Sequence, residues 1–435
     1  MVKITRNFAI GLVLLFTATL LAGCGGGAKD EGKAQGGDKV IKIGAIQPLS
    51  GAVAAMGADS KAALELASDI INKKYDDLDL PFAKTEGLPN LGGAKIQVVI
   101  GDHQGDPNVA ASTTERLITQ EKVVVMTGSY HSAASGTATE VAERNSIPFV
   151  IDSSSSPTLT NRGLKWTFRV WPHDGMFVAA IFDYADKLAK EKGTPIKTVA
   201  TFCEDTLFGH DSAKLAKENA QRLGWQVAAE VNYKANTTSL DSEVQKLKAA
   251  NADFVFGAGY ISDAILFVKT LKKLNYAPKM FIGNNTGYSD PNFVKSVGGD
   301  ALGFMTRAVS NADLGEKKPV LGKINKLFAE KTGGRPMSDT AAGCFSTLFV
   351  VADAINRAGS TNPESIQKAL LETDLPASAV ILPALQGVKF DQKTHQNEKI
   401  SPLILQIQDG KFVTVYPDNL ATAKPLYPIP AWDKR

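Results

Sequence analysis

Cysteine is scarce in this chain: three residues, at 24, 203 and 344, among 435. Three thiols cannot build a disulfide scaffold, and their spacing matches no zinc or thiol-redox motif. Whether Cys203 and Cys344 pair is left open, because pairing depends on distance and geometry. Histidine is sparse too, with five residues at 103, 131, 173, 210 and 395 and no short metal spacing, so neither a metal nor a cofactor is expected. Charge of one sign is also missing. Lys and Arg total 48 against 45 for Asp and Glu, a net +3, so bulk charge gives no support to nucleic-acid binding. Catalytic signatures are absent: no nucleophile elbow, zinc-protease helix, phosphate loop with its lysine, or dinucleotide fingerprint. Adjacent acids such as Glu204 and Asp205 define no acid–base geometry. The expectation is therefore a protein that is not an enzyme, with a secreted enzyme as the weakest alternative. What remains is ordinary, 44% hydrophobic and 21% charged, which argues against long disorder and against a polytopic membrane protein.

The N-terminus carries an address. Lys3 and Arg6 precede an apolar and small run from Ala9 to Ala22, too short to span a bilayer comfortably but fitting an export signal. It ends in Leu21-Ala-Gly-Cys24, which resembles the bacterial lipobox, where the cysteine is lipidated and becomes the first mature residue. The bland alternative is a simple signal peptide with a chance cysteine. Residues 25–38 are rich in Gly and charge and nearly devoid of large apolar side chains, so a flexible tether is expected there. The expected location is extracytoplasmic, membrane-anchored by lipid at Cys24. One membrane or two cannot be read from these residues.

Beyond residue 39 the pattern alternates. Strands are expected at 40–46, 95–100, 123–127, 148–151 and 166–170, with amphipathic helices between them, such as 60–71, 108–120 and 133–144. A second set follows, with strands near 198–202, 226–231, 254–257 and 280–282 and helices at 176–191, 212–223, 240–250 and 263–274. Such alternation favours mainly parallel, doubly wound sheets, and two successive sets favour two similar lobes. Residues 75–93 are expected to form a surface excursion. From Ala377 the texture shifts to short strands at 400–407 and 411–415, then a Pro-rich tail.

In open α/β sheets the working crevice lies beyond the carboxyl ends of the strands. Three loops follow such ends: Gln47-Pro-Leu-Ser-Gly51, Gly128-Ser-Tyr-His-Ser-Ala-Ala-Ser-Gly136 and Asp152-Ser-Ser-Ser-Ser-Pro157. Hydroxyls and free backbone N–H groups at helix starts suit a carboxylate or similar polar head. Each serine taken singly is equally served by capping and turn formation.

At these residues the chain resembles type I periplasmic solute-binding proteins, and more narrowly the branched-chain amino acid and amide group of ABC-transporter binding proteins. Ile43-Gly-Ala-Ile-Gln-Pro-Leu-Ser-Gly51 opens the likeness, followed by Met56-Gly57, Asp102-His-Gln-Gly-Asp-Pro107, Phe208-Gly209, Gly257-Ala-Gly-Tyr260 and Gly283-Asn-Asn285. The resemblance implies two lobes joined by three crossovers, near 170–172, 307–310 and 385–388, closing on a ligand like a hinged clamp. On that pattern residues 1–23 are signal and 24–38 tether. The first lobe takes 39–170 and 309–386, the second 171–308 and 387–435. The resemblance also implies a monomer that captures a small-molecule ligand and delivers it to ABC permease subunits. A sensing lipoprotein reporting to a membrane receptor is the alternative.

The same resemblance assigns the ligand carboxylate to Ser132 and Ala133, and the ligand head to Ser153, Ser154 and Ser155. Aromatic walls fall to Tyr260 and Phe208. Two positions depart from the family pattern. Asn285 stands where amino-acid binders place an acid to pair the ligand ammonium, and Met56 stands where an aromatic is common. Either another acid substitutes, with Asp205, Asp263 and Asp339 as candidates, or the ligand carries no ammonium. The second is favoured here: an organic or aromatic acid, or an amide. The favoured reading of all three aspartates is simply an exposed helix start. His131 could meet ligand or point away, and Trp171 and His173 could serve a hinge or simply pack.

Overall fold

The computed structural model of the chain describes residues 40–284 and 287–435, and residues Asp38–Arg435 form one compact unit. In chain order the strands and helices begin with β1 (Val40–Gln47), α1 (Ala54–Asn72), β2 (Lys95–Asp102), α2 (Pro107–Thr119), β3 (Val125–Gly128), α3 (Ser132–Arg144), β4 (Phe149–Ile151) and β5 (Thr167–Arg169). They continue with α4 (Asp174–Glu191), β6 (Thr198–Glu204), α5 (Leu207–Leu223), β7 (Gln226–Tyr233), α6 (Asp241–Ala250), β8 (Phe254–Ala258), α7 (Ile261–Lys273), β9 (Phe281–Gly283), α8 (Pro291–Val297) and β10 (Met305–Ala308). The last are α9 (Pro319–Thr332), α10 (Asp339–Ala358), α11 (Pro363–Leu371), β11 (Asp374–Pro376), β12 (Gly387–Lys389), β13 (Leu403–Gln408) and β14 (Lys411–Tyr416).

Local chemistry accounts for these elements. Strand β1, VIKIGAIQ, is buried along nearly its whole length because parallel neighbours flank it on both sides. Helix α1 buries Ala63, Ala67, Ile70 and Ile71 at helical spacing. Asp106 caps α2 by accepting from the N–H groups of Asn108 and Val109, with Pro107 as first helical residue. Gly224 ends α5 in the left-handed conformation.

The first sheet has five strands in the order β2-β1-β3-β4-β5, all parallel. The second runs β14-β13-β10-β9-β8-β6-β7, parallel from β10 to β7 and antiparallel at β13 and β14. Five strands of the second sheet repeat the winding of the first, with β6 in the place of β1. Each lobe therefore has a switch point, between β1 and β3 and between β6 and β8. Ligands of open α/β sheets bind at such points.

Three segments join the lobes, and they are laced together. Gln396 Nε2 donates to the Trp171 carbonyl at 2.8 Å, Asn397 Nδ2 to that of Val170 at 3.2 Å, and the Ala384 N–H to that of Val309 at 3.0 Å. The third passage falls later than the expected 385–388. Strand β12 pairs with β11 in a small ribbon, and Gln396 accepts from Arg169 Nε at 2.6 Å, so the chain enters the second sheet only with β13 at Leu403. A change of texture marks a strand but does not say which sheet it joins. Arg307, expected in a bare crossover, lies on β10. The excursion at 75–93 is anchored more firmly than expected, with Leu78, Ala83 and Leu88 in the core of the first lobe. Cys344 is buried in that same core and Cys203 in the second lobe's core; both are free thiols. Among the described residues no helix is long and apolar enough to cross a membrane.

Candidate functional site

The loops leaving both switch points converge on one small cavity, lined by Tyr130, Ser132, Ser153, Ser155, Phe208, Tyr260 and Arg307. From the first lobe come Tyr130 and Ser132, after β3, and Ser153 and Ser155, after β4. Gly128 makes this approach possible: its φ is +133°, and a Cβ there would lie 2.5 Å from the Ile46 carbonyl oxygen. Phe208 follows β6 at the start of α5, Tyr260 follows β8, and Arg307 comes from β10.

The serines have distinct partners. Ser132 opens α3, and its Oγ accepts from the Ser156 N–H at 3.3 Å. His131, the residue before it, makes no side-chain cap, and the Ser132 backbone meets the Tyr260 side chain of the second lobe. Ala133, expected beside it, is the next residue of that first turn. Ser153 donates to Asp152 Oδ1 at 2.8 Å, and the Ser155 carbonyl accepts from the Asp174 N–H at 2.7 Å. Ser154 turns away from the cavity, bonding the Ser129 carbonyl and the Ser135 hydroxyl. Its role is to hold two loops together. Fully buried Arg169 fixes the serine loop from behind, with Nη1 donating to the Ser156 carbonyl at 2.7 Å and Nη2 to Thr160 Oγ1 at 2.9 Å.

Met56 does not line the cavity. It packs with Val53 and Tyr130 in a small apolar cluster that also receives Tyr260 and Ile261 of the second lobe. His131 lies among rings: its centroid is 4.6 Å from Tyr260, 5.1 Å from Tyr130 and 5.4 Å from His103. Burial pushes His131 down to about 3 and His103 to about 4, so both are neutral at ordinary pH. Trp171 is fully buried against Phe177, and His173 precedes α4. Asn285 and Cys24 lie outside the described residues, as do residues 1–39 as a whole.

Sequence reading missed the charged members of the site. Arg307 is 2% exposed, stacks on Phe177 at 3.8 Å, donates from Nε to the Asn284 carbonyl at 2.9 Å and lies 3.9 Å from Asp339. Its Nη1 has no hydrogen-bond partner among the described residues. Asp174 is fully buried beside it. Asp174 Oδ1 accepts from Asn284 Nδ2 at 3.0 Å, while Oδ2 makes no well-formed bond among the described residues. Burial raises Asp174 to about 6 against the pull of Arg307. Glu204, also fully buried, rises to about 8, mainly through burial. A single arginine in a short, otherwise uncharged strand was the one available signal for Arg307.

Of the three acids proposed for an ammonium, Asp205 is exposed and bonds His210 at 2.6 Å. Asp263 and Asp339 are buried rather than exposed, because their helices start at the packed junction of the second lobe and of the two lobes respectively. Asp263 accepts from the Asn236 N–H, and Asp339 from the Ser289 hydroxyl at 3.1 Å. A second, larger cavity of about 860 Å³ opens on the flank, with Asp339, Met337, Ser289 and Phe412 in its wall. The smaller cavity is the one at the strand ends, where both switch points meet, which makes it the candidate site.

Two lobes of one winding, meeting at a cavity of hydroxyls, aromatic rings and one guanidinium, define a two-lobed solute-binding protein. A family model described as periplasmic binding protein matches residues 40–411. The chain belongs to that family, in its type I, branched-chain amino acid group. It is 30% identical over 422 residues to the Leu/Ile/Val-binding protein homolog 7 of Brucella melitensis, covering 95% of this chain and 98% of the relative. With homolog 8 of Brucella abortus it shares 30% over 389 residues, 88% and 92% of the two chains. Among solved structures, a leucine-binding protein from Thermotoga maritima superposes with a TM-score of 0.73 at 22% identity, covering 87% of this chain and 99% of that one. A solute-binding protein of an ABC transporter from Rhodopseudomonas palustris, in complex with 3,4-dihydroxybenzoic acid, gives 0.72 at 20% identity, covering 91% and 99%.

Proposed function

We propose that this chain is the extracytoplasmic binding subunit of an ABC importer, tethered through lipid at Cys24, and that it captures a small carboxylic acid without an α-ammonium group. Closure turns on the three laced crossovers, with 39–170 and 309–400 moving against 171–308 and the remainder, and the closed form is presented to a permease. The observation that carries the ligand class is the composition of the cavity wall: serine hydroxyls, aromatic rings and the Arg307 guanidinium, with no carboxylate among the lining residues. A carboxylate head pairs with a buried guanidinium and accepts from Ser132, whereas an ammonium would meet like charge. Aromatic rings on the opposing lobe give contact area and exclude water from the head group. Family resemblance admits this class as well as amino acids: one fold relative holds 3,4-dihydroxybenzoic acid, and another, from Streptococcus pneumoniae, holds isoleucine.

A second reading rests on Asp174. Its buried carboxylate stands just behind Ser155 and interacts with that side chain, and it is the acid best placed to take an ammonium. The deciding experiment is a thermal-shift screen of the compact unit, Asp38–Arg435, against matched compounds. Leucine is set against its 2-keto acid, phenylalanine against phenylpyruvate and benzoate, with amides and urea alongside. Binding to the native state raises the melting temperature by mass action. Stabilisation by the ammonium-free acids supports the first reading. Stabilisation by amino acids alone overturns it in favour of Asp174.

A further inference from the structure

Ser156 is the last of the four serines after β4, fully buried, and it faces both lobes. Its N–H donates to Ser132 Oγ at 3.3 Å, within the cavity wall, while its own hydroxyl donates to the Asp211 carboxylate on α5 of the second lobe. Thr158 Oγ1 donates to the same carboxylate oxygen at 3.1 Å. No salt bridge reaches Asp211 among the described residues, so its charge is met by these two hydroxyls of the opposite lobe. From below, Arg169 holds the Ser156 carbonyl in place.

We propose that Asp211 is the latch that stabilises the closed state, and that Ser156 couples this latch to Ser132. The proposal deepens the clamp reading above and rests on it. The two hydroxyl–carboxylate bonds are charge-assisted and form only when the lobes are together; on opening, water replaces both hydroxyls. Ser132 joins the ligand site to the same chain of bonds. When its hydroxyl donates to a bound carboxylate, its oxygen becomes a better acceptor for the Ser156 N–H, which holds the Ser156 backbone, and with it the hydroxyl that Asp211 accepts from, in place. Asp211 touches neither the cavity nor the ligand, so it acts as a positioning residue.

The test is hydrogen–deuterium exchange of the full-length protein with no solute added. The reporters are segments 128–136 and 258–264, which meet at the Tyr130–Tyr260 contact, where Asp211 makes no bond. Asp211→Asn, and separately Ser156→Ala with Thr158→Ala, should each speed exchange there by on the order of 10-fold. Combined, the two sets should give no further gain, and Asp211→Glu should recover part of the protection. Exchange in the buried helix α10 should not change. Unchanged exchange at the Tyr130–Tyr260 contact in both sets overturns the latch, as do additive effects. An equal rise in α10 also overturns it, because Asp211 would then be holding up the fold as a whole. Since no solute is present, failure here leaves the ligand class untouched, and failure of the compound screen leaves this result standing.

Discussion

Glu204 shows at the scale of one residue how burial ties stability to pH. Its carboxyl is fully buried, with Oε1 accepting from Thr206 Oγ1 at 2.7 Å, and burial raises it to about 8 while neighbouring Asp263 adds to the rise. A folded state that keeps a proton the unfolded chain releases loses stability as pH climbs from about 4.5 to 8. Asp174, Asp290 and Asp339, raised to about 6, have the same sign and nearly complete their contributions by about pH 7. The depressed histidines have the opposite sign. His103, His131 and His173 stay neutral when folded, so their contribution is full by about pH 7.5, one unit above their ordinary value, and is lost as pH falls. Between pH 7 and 8 Glu204 makes the largest contribution to the decline. Urea denaturation across that interval should show stability declining by no more than about 1.4 kcal/mol per pH unit. Glu204→Gln should flatten the decline; an unchanged slope would move the titration elsewhere. Ser132→Ala, by contrast, should leave stability nearly intact and cost ligand affinity roughly 1–3 kcal/mol by calorimetry. Unchanged affinity would take Ser132 out of the site.

At the scale of elements, the close approach of helix starts to strand ends builds the crevice. A Cβ on Gly57, near the start of α1, would sit 2.0 Å from the Pro48 carbonyl oxygen, so the first turn of α1 lies directly on the loop after β1. Gly57→Ala should therefore destabilise the protein by about 2 kcal/mol, since backbone has to shift. Gly136, within α3, has no atom within 4 Å of a built Cβ. Gly136→Ala should be neutral or stabilise by roughly 0.5–1 kcal/mol. Melting curves of the two variants check the contrast. Most parallel strands and their helices could be read from periodicity, because buried β-runs and amphipathic helices carry strong local signals. Strand β10 could not. Four residues, MTRA, with a charged side chain among them, become a strand only because β9 and β13 flank them.

At the scale of the molecule, the lobes meet through aromatic rings. Tyr260 lies 5.2 Å from Tyr130 and 4.6 Å from His131 on one side, and 5.8 Å from Phe208 of its own lobe. Such a ring contributes to closure and little to the folding of either lobe. Tyr260→Ala should lower affinity for a stabilising acid by roughly 1–2 kcal/mol. The melting temperature without ligand should stay nearly constant, and a large loss would make the ring a core residue instead. Arg307 and Asp174 belong to this scale as well. Each is buried by groups far away in the chain, Phe177, Asn284 and Asp339 for Arg307 and Asn284 for Asp174, so no stretch of sequence around either one announces it.

The sequence alone determined the alternation of strands and helices, the hydroxyl-rich loops at strand ends and the resemblance that ties them to a two-lobed clamp. Those features are local: periodicity, caps, glycines at tight approaches. Tertiary structure alone decided that Ser154 and Met56 pack beside the cavity rather than line it, that the third crossover comes near 400–403, and which charges face the site. The physical reason is that burial and pairing of a charge depend on groups far apart in the chain. Arg307 meets Asp339 across 32 positions and stacks on a ring 130 positions away, distances that no local pattern encodes.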